Sequence, residues 1–282
     1  TSAADNQWFS VTYGNGLWVA VSNSVFGDTT NRVMTSSDGF TWTSRSSANN
    51  NWQSVTYGNG LFVAVSSSNG TGNQVMTSPD GITWTSRTSA ADNQWLSVTY
   101  GNGLFVAVGW SGTGNRVMTS PDGITWTSRT SASDNDWRSV TYGNGLFVAV
   151  SYDGNTNRVM TSPDGITWTP RNAAANNTWY SITYGNGLFV AVASDGANRV
   201  MTSPDGITWT SRSVPDNNEW NSVTYGNEMF VAVASSGTNR IMRSNDAITW
   251  VASAAPEQKQ WWSVTYGNGR FVAVSQEGTQ RI

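Results

Sequence analysis

Hydrophobic and polar positions in this chain alternate in short runs, without the 3.6-residue period of a helix. The stretch from residue 95 to residue 136 shows one complete unit. Trp95–Tyr100 (WLSVTY) is rich in β-branched and aromatic residues and predicts a strand. Gly101-Asn102-Gly103 follows, and its Asn-Gly pair is the signature of a type I′ hairpin. Leu104–Val108 (LFVAV) is almost wholly apolar, as expected of a strand covered on both faces. After a Gly/Ser/Asn loop, Arg116–Ser120 predicts a third strand. Pro121-Asp122-Gly123 is a second tight turn, with Pro setting φ and Gly supplying φ > 0. Ile124–Arg129 predicts a fourth strand, and a polar link leads onward. No segment combines helical periodicity with capping residues.

This unit repeats. The phrase W-x-S-V-T-Y-G-N, with Ile for Val once, is anchored by Trp8, Trp52, Trp95, Trp137, Trp179, Trp220 and Trp261, spaced 44, 43, 42, 42, 41 and 41 residues apart. A second phrase, S-x-D-G-x-T-W, ends at Trp42, Trp84, Trp126, Trp168, Trp209 and Trp250, and its sixth copy carries Ala247 in place of Gly. Four short strands in each such period match a propeller blade, a small sheet that must stack on neighbours to cover both faces. The expected fold is all-β: a seven-bladed β-propeller of four-stranded antiparallel blades, the last blade incomplete. It forms a single domain over residues 1–282, with blades starting near 8, 52, 95, 137, 179, 220 and 261. An open β-solenoid is the competing architecture. The last unit reaches Gln280-Arg281-Ile282 where a third strand should begin, about 12 residues short of the other units. Either that blade lacks its outer strands and leaves an unpaired edge, or the natural chain continues.

Composition narrows the chemistry. With 15 Lys+Arg against 18 Asp+Glu the net charge is −3, which argues against a phosphate-backbone binder and hence against nucleic acid. Charged residues are only 12% of the chain, so Ser, Thr, Asn and Gly must form most of the surface. Sixteen Trp, 9 Tyr and 9 Phe nevertheless supply ample area for a core. There is no Cys and no His, which removes disulfides, thiol catalysis, the commonest metal ligand and every Ser-His-Asp triad. No apolar run is long enough to span a membrane. No cofactor or metal site is expected.

S-x-D-G-x-T-W resembles the Asp-box, or BNR, repeat of sialidases and other β-propellers, although the usual box has one residue between Asp and Gly. The resemblance covers six of the seven units. It implies that the box folds the hairpin between third and fourth strands, away from any active site. Asp38, Asp80, Asp122, Asp164, Asp205 and Asp246 are then turn carboxylates that accept from local backbone N–H groups.

Comparison of the units points to one end of the molecule. Hairpin topology places the Y-G-N-G and S-x-D-G turns together at one end. The second-to-third-strand loops and the inter-unit links meet at the other, here the upper rim. Length varies there, since the separation from the last Val of the second strand to the residue opening the third is 11, 9, 8, 8, 7, 7 and 7. The residue after the anchor Trp differs in every unit: Phe9, Gln53, Leu96, Arg138, Tyr180, Asn221 and Trp262. The residue before it also varies, Asp136 among them, and alternation puts the two on one face. The loops add Phe26, Trp110, Tyr152, Asp153, Asp195 and Glu277. Drift at exposed positions would account for such variety, yet the fourth strand T-S-R barely changes. A second candidate is the repeated set of anchor Trp, the Asn two residues ahead, and the Arg opening the third strand, Arg158 for instance. Aromatic faces beside planar polar groups suit sugar rings, whereas the structural alternative packs Trp between blades with Arg against it.

A sialidase-like glycosidase is disfavoured. It needs two convergent carboxylates or a tyrosine nucleophile, and the four glutamates, Glu219, Glu228, Glu257 and Glu277, form no evident pair. The expected function is non-enzymatic binding: lectin-like glycan or cell-surface recognition through the upper rim, or else protein interaction or display on a diversified rim. The expected partner is a glycan or a cell-surface protein, with no catalytic or metal residues, and the expected setting is extracellular or on a virion surface.

Overall fold

The computed structural model describes residues 2–23, 31–68, 72–277 and 282. Phe26 of the rim loops and Arg281 at the opening of a third strand lie outside these residues. In the first sheet the strands Gln7–Gly14, Leu17–Asn23, Val33–Ser36 and Thr43–Arg45 follow one another in an antiparallel meander. The next five sheets repeat that order. The last sheet has two strands, Trp261–Gly267 and Arg270–Ser275.

This corrects the expectation of a seven-bladed propeller whose last blade is merely incomplete. Among the described residues there are six blades of four strands and a partial seventh sheet of two. The physical reason lies in the residues available. Gln276–Ile282 carries neither the V-M-T-S run nor the T-W-T-S-R run from which every full blade builds its outer strands.

Local chemistry explains each turn. At the first hairpin Asn15 and Gly16 have φ of 48° and 75°, the two positive values a type I′ turn requires. At the second hairpin one carboxylate oxygen organises the chain. In the third blade Asp122 Oδ1 accepts from Ile124 N–H and Thr125 N–H, both at 2.8 Å, and from Ser120 Oγ at 2.9 Å. Trp126 then closes the turn by donating from Nε1 to Gly123 O at 3.0 Å. These bonds hold the Asp122 carboxyl below its usual range, the backbone donors being the main cause. The same geometry recurs at Asp38, Asp80, Asp164, Asp205 and Asp246. All six carboxylates therefore do turn work, as the motif led one to expect.

The sheets stand around a central axis with the first strand of each innermost. Consecutive inner strands are stitched by serine. Ser10 Oγ accepts from Val55 N–H of the next sheet at 3.1 Å, and Ser54, Ser97, Ser139, Ser181 and Ser222 do the same for their neighbours. Closure is equally specific. A Cβ on Gly14 would fall 2.1 Å from Tyr57 Cγ of the next sheet, so only Gly permits this approach. The last member, Gly267, meets Tyr13 of the first sheet, which joins the two ends of the chain. The core lies between blades. Val106, Val108 and Val117 of the third blade pack on Trp137, Phe147, Met160 and Trp168 of the fourth. Such burial is the main favourable term of folding.

Candidate functional site

The residues after the anchor tryptophans converge. In each sheet the pairing register slips at this position, for example between Trp137 and Ser139, so Arg138 is the extra residue of a β-bulge. The same slip occurs at Phe9, Gln53, Leu96, Tyr180, Asn221 and Trp262. A bulge takes a residue out of the ladder and re-aims its side chain. Here it turns all seven towards the axis, where they line a mouth of about 130 Å³ together with Ser10, Ser54, Ser97, Ser139, Ser181, Ser222 and Ser263. Simple alternation predicted that these residues share a face with those before the Trp. The preceding residues are not among those that line this mouth.

Within the mouth the side chains divide into two halves. One is aromatic. Phe9 meets Trp262 edge-on with centroids 5.3 Å apart, Trp262 meets Tyr180 at 6.2 Å, and Tyr180 meets Tyr152 at 5.9 Å. The guanidinium of Arg138 lies among three rings, 5.3 Å from Trp110, 4.9 Å from Tyr152 and 5.3 Å from Tyr180. Its Nε is buried without a hydrogen-bond partner, and among the described residues no carboxylate stands within ion-pair distance of it. The other half is tied into the scaffold. Gln53 donates to Ser67 Oγ at 2.9 Å, and Asn221, 7% exposed, donates to Trp261 O at 3.1 Å. Leu96 adds apolar lining.

Trp110 and Tyr152 come from the second-to-third-strand loops and remain 37% and 40% exposed. Trp110 is fixed by donating from Nε1 to Gln94 Oε1 at 2.5 Å. Burial pushes the Tyr180 hydroxyl above its ordinary range, partly opposed by the charge of Arg138. Such a site offers flat apolar surface around one positive charge. Guanidinium can bind carboxylate bidentately, and cation–π contact leaves its in-plane N–H groups free.

Asp136 and Arg158 lie elsewhere. Asp136 accepts from Arg116 Nη1 at 3.0 Å, and its backbone N–H donates to Asp153 at 2.6 Å. Its carboxyl is pushed up, first by burial and then by Asp153, against the pull of Arg116 and Arg138. Arg158 spends its donors on backbone, reaching Tyr152 O at 2.8 Å, Asn177 O at 3.0 Å and Asn155 O at 3.1 Å. The other members of the repeated set are also structural. The anchor tryptophans are 0% exposed, apart from Trp261 at 5%, and Asn93, Asn135 and Asn177 each donate to a backbone carbonyl of the following loop. Asp195 accepts from Thr178 N–H and Oγ1 and so orders its own loop. The serines of the mouth escaped the sequence comparison because they do not vary. Their position two residues after every anchor Trp was the available signal.

Among the described residues no group of His, Cys, Asp or Glu could hold a metal. No family model matches the chain, and no curated protein sequence matches it. Solved structures do match its shape. Streptogramin B lyase superposes with a TM-score of 0.80 at 14% identity, over 94% of this chain and 89% of that one. YCF48 from Cyanidioschyzon merolae gives 0.68 at 15% identity, over 96% and 94%. A structure of YCF48 bound to D1 peptide gives 0.70 at 14%, over 97% and 90%. The fold is a β-propeller. Identities this low establish the architecture alone, since a propeller scaffold hosts unrelated functions.

Proposed function

We propose that this chain is a non-enzymatic binding module that recognises one protein or peptide partner bearing an acidic group, through the upper mouth of the ring. The observation that carries this reading is the unpaired Arg138 guanidinium amid Trp110, Tyr152 and Tyr180. Trp, Tyr and Arg are the side chains that dominate protein-recognition energetics, and here they form one patch on a rigid frame. The seven mouth positions that follow the anchor tryptophans all differ, so the surface suits a single asymmetric footprint rather than several equivalent sugar pockets. The residues of the repeated set, which multivalent glycan binding would use, already have partners in the fold. No Asp or Glu lines the mouth, so its residues include no carboxylate for acid–base or nucleophilic work on a sugar. One structural neighbour is described as bound to a peptide and another as a lyase, so the fold accommodates either role. An extracellular or virion-surface setting goes with this reading, since the chain has no Cys and draws its solubility from Ser, Thr and Asn.

Panning the immobilised protein against a random peptide display library, beside a glycan array, tests the proposal. Enriched peptides should carry Asp, Glu or a free C-terminal carboxylate, and Arg138→Met should weaken them about tenfold or more, the size of one lost charge-assisted pair. The Arg138 side chain is only partly buried, so the variant should keep its melting temperature. Binding indifferent to Arg138→Met would overturn the reading. So would capture of a neutral oligosaccharide that depends on Trp110 and Tyr152 alone, which would replace the peptide by a glycan.

A further inference from the structure

The serines that share the mouth with the variable side chains form a collar with more donors than acceptors. Ser10, Ser54, Ser97, Ser139, Ser181, Ser222 and Ser263 each follow a bulged residue, and all line the same mouth around the axis. The first six each accept a main-chain N–H from the next sheet, at 3.1 or 3.2 Å. That bond uses one lone pair and fixes the oxygen, but the hydroxyl hydrogen is still to be donated elsewhere. Among the described residues none of the seven hydroxyls donates to a protein acceptor. Ser222 is only 8% exposed, so its hydroxyl has little access to bulk water. Apart from the serines themselves, the side-chain acceptors lining the mouth are the amide oxygens of Gln53 and Asn221 and the hydroxyl of Tyr180, too few for seven donors. The one charge among the lining residues is the guanidinium of Arg138, whose Nε is buried without a partner.

We propose that this collar binds a small monovalent anion of the halide class, held by the serine O–H groups with Arg138 as its counter-charge. The N–H bonds received by the serine oxygens polarise the hydroxyls and make them better donors. A cluster of water molecules would satisfy the hydroxyls but would leave Arg138 without an opposite charge, and a charged donor bonds most strongly to a charged acceptor. The mouth holds about 130 Å³, room for such an ion with part of its water. The site shares Arg138 with the acidic group of the proposed partner but does not depend on that partner, since a free halide would occupy it in the protein alone.

The test is a series of thermal melts of the 282-residue protein at constant ionic strength, with chloride replacing the bulky anion gluconate. The melting temperature should rise saturably, by about 5 °C or more once chloride is in about hundredfold excess over its dissociation constant. Crystals soaked in bromide should give an anomalous peak within hydrogen-bond distance of the serine Oγ atoms. Arg138→Met should weaken chloride about tenfold or more. Among the described residues Ser263 is the collar member whose Oγ accepts no N–H from a neighbouring sheet, so it can be changed without unstitching the ring. Ser263→Asp places a carboxylate in the collar and should abolish the chloride response. If that variant does not fold, Arg138→Met and the bromide peak decide alone. No saturable response to chloride, a response unchanged in Arg138→Met, or bromide found only away from the serines overturns the proposal. Acidic peptides that still bind the mouth after such a result would leave the function proposed above standing, so the two readings fail separately.

Discussion

At the scale of single residues, most of the repeat is dictated by backbone geometry. Its departures are therefore informative. Ala247 occupies the turn position that is Gly in the other five boxes, at φ 59° with 0% exposure. A Cβ at the equivalent Gly206 would lie 2.9 Å from Leu146 Cδ2 and 3.0 Å from Val148 Cγ2. Left-handed backbone costs a residue with a Cβ roughly 1–2 kcal/mol, and the crowding adds to it. Ala247→Gly should accordingly stabilise the protein by about 1 kcal/mol, the unfolded-state entropy of Gly offsetting part of the gain. Urea unfolding would show a higher midpoint at unchanged slope, and a lower midpoint would refute the argument. Arg138 is a departure of another kind. Its neighbours in the chain are uniform, so its variability was visible, but nothing in the residues indicated that Trp110 and Tyr152 would close on it. That depended on where two loops of different blades end.

At the scale of elements, the six Asp-centred hairpins behave as one titrating population. In all six the carboxyl lies below its usual value of 3.8, mainly because backbone N–H groups bond the ionised form. A lowered native pKa contributes stability that is complete above the unfolded value and is lost as pH falls through the native one. The melting temperature should therefore stay level from neutral pH down to about 4 and fall steeply only below it. Asp136 works in the opposite sense. Its raised carboxyl makes the charged form unfavourable at neutral pH, so its protonation slightly favours the fold. A stability loss that began near pH 6 would contradict this account of the turns. The hairpins themselves were legible in the sequence, because Asn-Gly and Pro-Asp-Gly name their turn types. The bulge after each anchor Trp was not, since it follows from how two strands share a ladder and not from the residue inserted.

At the scale of the whole molecule, the inner strands close the ring. Its ends are joined by Gly267 against Tyr13, and Arg270 reinforces the junction by donating to Asp38 O at 2.6 Å and lying 4.6 Å from the Phe40 ring. Among the described residues the strand Arg270–Ser275 has a ladder partner on one side only, while Leu188–Ala193 has one on each. Local opening should be easiest where packing and pairing are least. Hydrogen exchange should find the amides of Arg270–Ser275 less protected than those of Leu188–Ala193, and equal protection would show that the partial sheet is held as firmly as a full blade.

Strand order within a unit, turn types and the division into two rims came from the sequence alone, because each is encoded within one unit by residues whose effects are local. Two things needed the assembled ring. It took coordinates to show that seven bulges gather unlike side chains at one mouth, and that the recurring Trp, Asn and Arg are absorbed by packing and backbone bonds. Each of these concerns what one blade does to the next. Such contacts join residues about forty positions apart, and no pattern inside a single unit specifies them.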